Sequence, residues 1–168
     1  VMVLRKSHVK RLDLYLQLIT ATKKSVGISC AVITPEDEIA ARVSESVDIC
    51  LLRPSREEMR TLYQRSKVFV LFSEREGFGL PSLEAMGSGC VPFCRDSGGV
   101  RCYMIGGLAQ NLIPLDAPFA VIQERLYTLL SDREKLQELS LEARQIFLNG
   151  AGESKQKREL ALILLSST

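Results

Sequence analysis

Short apolar runs recur along the chain and alternate with longer segments that carry apolar residues at helical spacing. A strand that is buried on both faces reads as an unbroken apolar run, so these runs predict a parallel sheet. Strands alternating with helices predict a doubly wound, Rossmann-like α/β domain of about six strands joined by right-handed crossovers. The predicted strands cover residues 1–4, 26–33, 47–52, 67–72, 90–94 and, with a weaker pattern, 112–115.

Segment 11–24 fits two patterns. Leucines at alternate positions from Leu12 to Leu18 are typical of a strand, whereas residues 9, 12, 16 and 19 form a helical stripe. We predict a helix, because a parallel sheet needs a crossover there.

Other helices are marked by their first residues. Pro35 and the acids after it predict a short helix over 35–42, and Ser55 with Glu58 has capping-box spacing. Asp116 and Asp132 are predicted to cap the last two helices before Gly150.

The most informative segment follows the predicted strand 67–72. Residues 76–84 read Glu-Gly-Phe-Gly-Leu-Pro-Ser-Leu-Glu. Pro81 suits the first position of a helix, which Gly87 and Gly89 would end. The free N–H groups at that helix start, with glycines that let the backbone approach closely, would suit a phosphate or a sugar oxygen.

Two carboxylates flank this turn, Glu76 before it and Glu84 in the predicted first turn of the helix. Carboxylates repel phosphate, but an ionised carboxylate accepts hydrogen bonds from two neighbouring hydroxyl groups. The pair therefore predicts a ligand that carries hydroxyls as well as phosphate, such as a nucleotide sugar.

The string from Glu76 to Pro92 resembles the E-x7-E signature of the group 1 retaining glycosyltransferases, which have the GT-B fold. The similarity extends with decreasing clarity over most of the chain. It implies that the chain is the donor-binding, C-terminal half of a larger two-domain enzyme, with residues 151–168 forming a tail helix. The acceptor, a glycan or a lipid-linked sugar, would then bind through an N-terminal domain that this sequence lacks.

The resemblance also implies a reaction and its residues. A sugar would pass from a nucleoside diphosphate sugar to an acceptor hydroxyl with retention of configuration and without a metal, in glycan or polysaccharide biosynthesis. Glu76 would be catalytic, holding sugar hydroxyls and favouring an oxocarbenium-like transition state. Glu84 would bind the ribose hydroxyls, and the backbone N–H groups of the turn would bind phosphate and sugar oxygens: Gly77, Phe78, Gly79 and Leu80.

A basic cluster follows the first strand, where a doubly wound sheet binds its ligands. It consists of Arg5, Lys6, Lys10 and Arg11. In the resembled family an arginine and a lysine of this region hold the donor diphosphate, and Arg5 and Lys10 match them. Arg11 and Leu4 stand where that family has glycines, so a solvated basic loop remains an alternative.

Three further positions are weighed by the same resemblance. Arg53 ends the third strand, where the family recognises the nucleotide base, and its alternative is a surface cation. Ser73 would touch the ligand or form a turn. Cys102 stands where the double-glycine segment after the fifth strand usually carries a glutamate, a change that would affect either loop structure or donor choice.

Composition narrows the partners. The 168 residues fit one domain, and a net charge of +2 with no interleaved aromatic and basic residues argues against nucleic acid. The first residues are not expected to form a signal peptide, and no apolar stretch of the sequence is long enough for a membrane span. We expect a cytoplasmic protein, with peripheral contact at the inner face of a membrane left open. The five cysteines are predicted to be buried thiols, and no metal is expected.

Two alternatives from other classes stay open. The chain could be a nucleotide-sugar-binding module or subunit without catalytic activity, or it could belong to a phosphorylase or epimerase of the same fold. A phosphorylase would require free phosphate, and a module would bind the donor without transferring the sugar.

Overall fold

Six parallel strands form one sheet in the order β3-β2-β1-β4-β5-β6 in the computed structural model, which describes residues 1–6, 10–25 and 27–150. This order and the intervening helices confirm the predicted doubly wound fold. The strands are β1 (Met2–Val3), β2 (Ala31–Thr34), β3 (Ile49–Leu52), β4 (Val68–Leu71), β5 (Val91–Arg95) and β6 (Leu112–Ile113).

Among the described residues, six α-helices connect or flank the strands. They are α1 (Leu12–Lys23), α2 (Asp37–Val43), α3 (Arg56–Arg65), α4 (Leu80–Gly87), α5 (Phe119–Ser131) and α6 (Arg133–Leu148). The ambiguous segment 11–24 is thus helical as predicted, but its buried face differs from the predicted stripe: Leu14, Leu18 and Ile19 are buried, whereas Leu12 and Leu16 are only partly buried. Two 3₁₀ segments, Gly99–Cys102 and Gly106–Asn111, lie between β5 and β6.

Two of the predicted helix caps are present and one is wrong. Ser55 and Glu58 form the reciprocal capping box of α3, and Asp132 accepts a hydrogen bond from the Lys135 N–H at the start of α6. Asp116 does not cap α5, since that helix begins after Pro118 without a side-chain cap. Pro118 lies in extended backbone directly before the helix, with the φ that its ring fixes. The helix therefore starts later than Asp116 predicts.

Burial follows the position of each strand in the sheet. Every residue of β4 and β5 is buried, as the unbroken apolar runs predict, whereas β3 lies at an edge and is partly exposed. β2 begins at Ala31, later than predicted, because Gly27 adopts a positive φ and the preceding residues form a turn. Val26, Val9 and the predicted tail helix at 151–168 lie outside the described residues.

The strand order brings the loops of interest together. All six strands are parallel, so their carboxyl ends meet at one edge of the sheet. The order reverses between β1 and β4, which pair directly through Met2 and Val70. Doubly wound sheets bind ligands in the crevice at such a reversal. The loop after β1 and the turn after β4 therefore flank the expected binding crevice.

Candidate functional site

The turn after β4 leads directly into α4. Gly79 is the residue before the helix and has a φ of 74°, a left-handed conformation that glycine adopts without strain. Leu80 is the first helical residue and Pro81 the second, so the proline lies one position later than predicted. At the other end Gly89, with a φ of 90°, and Cys90 donate to the carbonyls of Met86 and Ala85, which ends the helix in a Schellman-type turn.

Backbone donors are available at the start of α4. Within the described part of the chain, the N–H groups of Gly77, Gly79 and Leu80 donate no hydrogen bond. The first N–H groups of a helix lack intrahelical partners and carry partial positive charge. The turn therefore presents donors of the kind that the sequence predicts for phosphate or sugar oxygens.

The double-glycine segment after β5, which contains Gly98 and Gly99, packs against this turn. Glu76 pairs with Gly98 in a parallel bridge, and a Cβ atom on Gly99 would lie only 2.3 Å from the carbonyl oxygen of Gly77. The Tyr103 hydroxyl donates to the carbonyl of Gly79 at 3.2 Å. The loop is thus packed against the turn without room for a side chain at position 99.

Cys102, which stands where the resemblance implies a glutamate, ends this loop. Its thiol donates to the carbonyl oxygen of Gly99 at 2.9 Å. Asp96 and Arg101 close the same loop with two hydrogen bonds of 2.6 and 2.7 Å. Local contacts therefore hold the double-glycine turn in the absence of the glutamate.

Lys10 and Glu76, which the sequence assigns to separate loops, form an ion pair. The side chain of Glu76 is 12% exposed and that of Lys10 is 31% exposed. The pairing of β1 with β4 explains the contact, because it places the loop after β1 beside the turn after β4. Lys10, which is predicted to bind the diphosphate, and Glu76, the predicted catalytic carboxylate, thus lie in one site.

The backbone at Arg11 has a conformation that favours glycine, the residue that the resemblance implies at this position. Its φ of 50° and ψ of 52° are left-handed, which costs most residues about 1–2 kcal/mol. Its guanidinium binds Asp13 at 2.9 and 2.7 Å and Glu74 at 2.9 Å. These bonds lower the pKa of Asp13 and raise that of Arg11. The substitution adds a cation that joins α1 to the loop after β4.

Arg5 and Arg53, the two other cations predicted to bind the donor, are not part of the Lys10–Glu76 pair. Arg5 is exposed and makes no ion pair with any residue that the structure describes. Arg53, in left-handed backbone with a φ of 48°, donates to both carboxylate oxygens of Asp37 and to the carbonyl of Pro35. The guanidinium of Arg53 therefore fastens β3 to α2, and its predicted contact with the base stays a prediction.

Glu84 is the fifth residue of α4 and so begins the second turn of the helix rather than lying in the first. Its carboxylate has neither a hydrogen bond nor an ion pair among the described residues. Burial raises the pKa of Glu84 above its ordinary value, an effect that the charge of Arg56 partly offsets. A half-buried, unpartnered carboxylate costs stability and leaves its oxygens available to a ligand.

We predict that Glu84→Gln stabilises the unliganded chain at pH 7. A raised pKa means that the folded state holds a proton more tightly than the unfolded state. Stability therefore falls as pH rises above the ordinary value of 4.5, and the loss is complete above the folded-state pKa. The variant lacks this loss, so its melting temperature should exceed that of the wild type at pH 7. The two should converge below about pH 4.5, and a lower melting temperature for the variant at pH 7 would contradict the assignment.

In the part of the chain that the structure describes, the cysteines are not grouped with other side chains as ligands for a metal ion. None of the five forms a disulfide bond, and Cys30, Cys90 and Cys94 are buried as predicted, whereas Cys50 and Cys102 are partly exposed. Burial raises the pKa of Cys90 to about 11 and that of Cys94 to about 12, so these thiols stay protonated. No group of three or more metal-binding side chains occurs in the described ranges, and no helix there is long and apolar enough to span a bilayer.

Sequence reasoning missed Arg95 and Tyr103. Arg95 ends β5 with only 3% of its side chain exposed, and Tyr103 is fully buried beneath the turn. An arginine that closes an otherwise apolar strand is a sequence signal for Arg95. Nothing in the sequence indicates that the Tyr103 hydroxyl reaches Gly79, because the contact spans 24 residues.

Known proteins with similar sequences match short parts of the chain. One is a protein of Sulfolobus islandicus filamentous virus (isolate Iceland/Hveragerdi) whose name assigns it to the glycosyltransferases, 44% identical over 62 residues. That match covers 37% of this chain and 17% of the viral protein. Another is the GDP-mannose:cellobiosyl-diphosphopolyprenol alpha-mannosyltransferase of Xanthomonas oryzae pv. oryzae (strain PXO99A), 42% identical over 45 residues. That match covers 27% of this chain and 12% of the enzyme, so the chain spans a small part of either relative.

Solved structures share the fold over nearly the whole chain. A point mutant of S. aureus TarM, in complex with fondaparinux, alpha-GlcNAc-glycerol and UDP, superposes with a TM-score of 0.72 at 17% identity. It covers 99% of this chain, which spans 35% of TarM. The C-terminal domain of a glycosyl transferase group 1 family protein (LpcC) from Francisella tularensis gives 0.67 at 21% identity, covering 89% of this chain and 82% of that domain.

The family model for glycosyl transferases group 1 matches residues 1–146, which include both glutamates, the basic loop and the double-glycine segment. The resemblance seen in the signature string is therefore confirmed over most of the chain. The chain belongs to the group 1 glycosyltransferase family.

Proposed function

We propose that this chain is the donor-binding domain of a retaining, metal-independent glycosyltransferase. It would bind a nucleoside diphosphate sugar, whose sugar passes to an acceptor hydroxyl in glycan or polysaccharide biosynthesis. The observation that carries the proposal is the meeting of Lys10 and Glu76 beside the open N-terminus of α4, at the reversal of strand order. Cation, carboxylate and backbone donors then face one crevice.

Each part of the donor has a matching group. The diphosphate of the donor is an anion, whose charge Lys10 and Arg5 would balance, together with the N–H groups of residues 77–80. The half-buried carboxylate of Glu84 would accept hydrogen bonds from the two ribose hydroxyls, which would also relieve its lack of a partner. The ribose and the diphosphate would thus be held at opposite ends of the turn.

Glu76 would act at the sugar. Lys10 now occupies its Oε1, and a bound diphosphate would compete for the same ammonium group. Sharing Lys10 with the diphosphate would release Glu76 to accept hydrogen bonds from sugar hydroxyls. Its negative charge near the anomeric carbon would stabilise an oxocarbenium-like transition state, and Lys10 would stabilise the leaving diphosphate.

The similar proteins support this class of substrate without fixing the base. The Xanthomonas enzyme is named for GDP-mannose, and the TarM structure contains UDP. A donor panel therefore has to include both uridine and guanosine diphosphate sugars.

The proposal is tested by assaying sugar transfer with the full-length polypeptide that carries this chain. Donors with different bases and sugars are offered with and without EDTA, and the anomeric configuration of the product is read by proton NMR. We expect transfer that EDTA does not abolish, with configuration retained. A donor that binds without transfer would favour the binding module, and a strict requirement for free phosphate would favour a phosphorylase.

A further inference from the structure

Arg95 is a buried cation whose donors are not used. Its side chain is 3% exposed, and its Nε and Nη1 atoms have no hydrogen-bond partner among the described residues. Arginine is almost never fully buried unless it is paired, because removing an unpaired charge from water costs several kcal/mol. Such a guanidinium indicates that a further group, not part of the described residues, accepts its hydrogen bonds.

The carboxylate nearest to Arg95 is committed elsewhere. Glu74 Oε1 lies 3.8 Å from the Nη1 atom of Arg95, which is too long for a hydrogen bond. The same oxygen accepts a hydrogen bond of 2.9 Å from Arg11, and Arg11 also binds both oxygens of Asp13. Burial and the charge of Arg11 lower the pKa of Arg95. The acidic side chains nearby therefore do not meet the needs of this guanidinium.

Strand geometry shows which way the side chain points. Cys94 contacts Ser82 of α4 at 3.4 Å, so Arg95, the next residue of β5, points to the opposite face of the sheet, toward the start of α1. There its neighbour Arg11 directly follows Lys10, which binds Glu76. Arg95 thus lies on the α1 face of the sheet beside Glu74, two residues before Glu76, and on the face opposite to α4 and its Glu84.

Two serine hydroxyls beyond the neighbouring strand ends are also unused. The Oγ atoms of Ser73 and Ser97 are buried without a hydrogen-bond partner in the described part of the chain. Ser97 follows Arg95 in a tight turn, with its N–H donating to the carbonyl of Arg95 at 2.8 Å. Polar groups without partners are therefore concentrated at the carboxyl ends of β4 and β5.

We propose that Arg95 binds an oxyanion, a carboxylate or a phosphate, carried by the sugar of the donor or by the acceptor. This proposal rests on the proposed function, because the crevice beside Glu76 is where the sugar and the acceptor hydroxyl would meet. A guanidinium pairs with either oxyanion through two parallel hydrogen bonds, and Nε with one Nη atom forms a suitable fork. Arg95 then selects substrates that carry a negative charge beyond the diphosphate.

Arg95→Met tests the proposal, because methionine fills similar volume without the charge. Titrations compare a nucleoside diphosphate hexuronate with the matching neutral hexose donor and with the nucleoside diphosphate alone. If the donor carries the oxyanion, wild-type chain binds the hexuronate at least about tenfold tighter than the hexose, and the variant loses that difference. If the acceptor carries it, full-length polypeptide prefers a phosphorylated acceptor glycan over the unphosphorylated one, and Arg95→Met loses that preference.

Stability separates this role from a structural one. Replacing a buried ion with an apolar side chain is often neutral or stabilising, so the melting temperature of Arg95→Met should stay level or rise. Arg42→Met, which removes an exposed arginine from the last turn of α2, is the matched control and should keep both preferences.

The proposal is overturned if neither charged substrate is preferred, or if Arg95→Met lowers the melting temperature and leaves binding unchanged. It is also overturned if the variant weakens the nucleoside diphosphate alone to the same extent as the sugar donor. Wild-type chain that binds no nucleoside diphosphate would instead refute the proposed function.

Discussion

Glu76→Gln is expected to lower the transfer rate of the full-length polypeptide by about 100-fold to 1,000-fold, the range seen when one electrostatic partner of a transition state is removed. Glutamine keeps the shape of the side chain and an oxygen that can accept from Lys10. It lacks the negative charge that would stabilise the developing positive charge at the anomeric carbon. Initial rates at saturating donor measure the effect on kcat.

Binding measurements show whether the loss is catalytic. Because Glu84 and the backbone N–H groups would hold the nucleotide, Glu76→Gln should change nucleoside diphosphate affinity by only a few fold. The control is Glu57→Gln, an exposed carboxylate on α3. Transfer by Glu76→Gln within a few fold of wild type would contradict the assigned role.

Gly99→Ala is expected to lower the free energy of unfolding by about 1–3 kcal/mol and to abolish most of the donor binding. The added Cβ would lie 2.3 Å from the carbonyl oxygen of Gly77 and 2.5 Å from that of Glu76. Both contacts are with backbone, which cannot move aside as the end of a long side chain can. The turn that carries Glu76 must then shift, and the melting temperature should fall by about 2–10 °C.

Two neighbouring glycines provide matched controls. Gly77→Ala meets nothing within 4 Å and has no positive φ, so its melting temperature should stay close to that of wild type. Gly98→Ala also meets nothing, but its φ of 86° with a ψ of −69° lies outside the left-handed helical region and should cost about 1–3 kcal/mol in backbone strain. The contact explanation would be wrong if Gly99→Ala were as stable as Gly77→Ala.

The fold could be predicted from the sequence because its signals are local. Unbroken apolar runs such as the one ending at Phe72 indicate parallel strands, and Gly79 with Pro81 marks where a helix begins after a turn. The placement of Glu76 and Glu84 around that turn follows from the same few residues. Boundaries shifted by a few residues where one backbone conformation decided them, as at Gly27 before β2 and Pro118 before α5.

The contacts that assemble the site depend on long-range packing. Lys10 and Glu76 are 66 residues apart and meet only because β1 pairs with β4. The left-handed backbone of Arg11 can be inferred from a missing family glycine, but its bonds to Glu74 and Asp13 cannot. The burial of Arg95 could not be predicted, because the sequence does not show which face of β5 is covered by α1.

Lys10, Glu84 and the turn before α4 are proposed to form a site for the nucleoside diphosphate of a sugar donor. Calorimetric titration with uridine, guanosine and adenosine diphosphate, in buffer containing EDTA, tests it most directly on wild type, Lys10→Ala and Glu84→Gln. At least one of the three diphosphates should bind wild type, and each variant should weaken that binding at least about tenfold. Folded chain that binds none of them, or variants that bind as tightly as wild type, would contradict it.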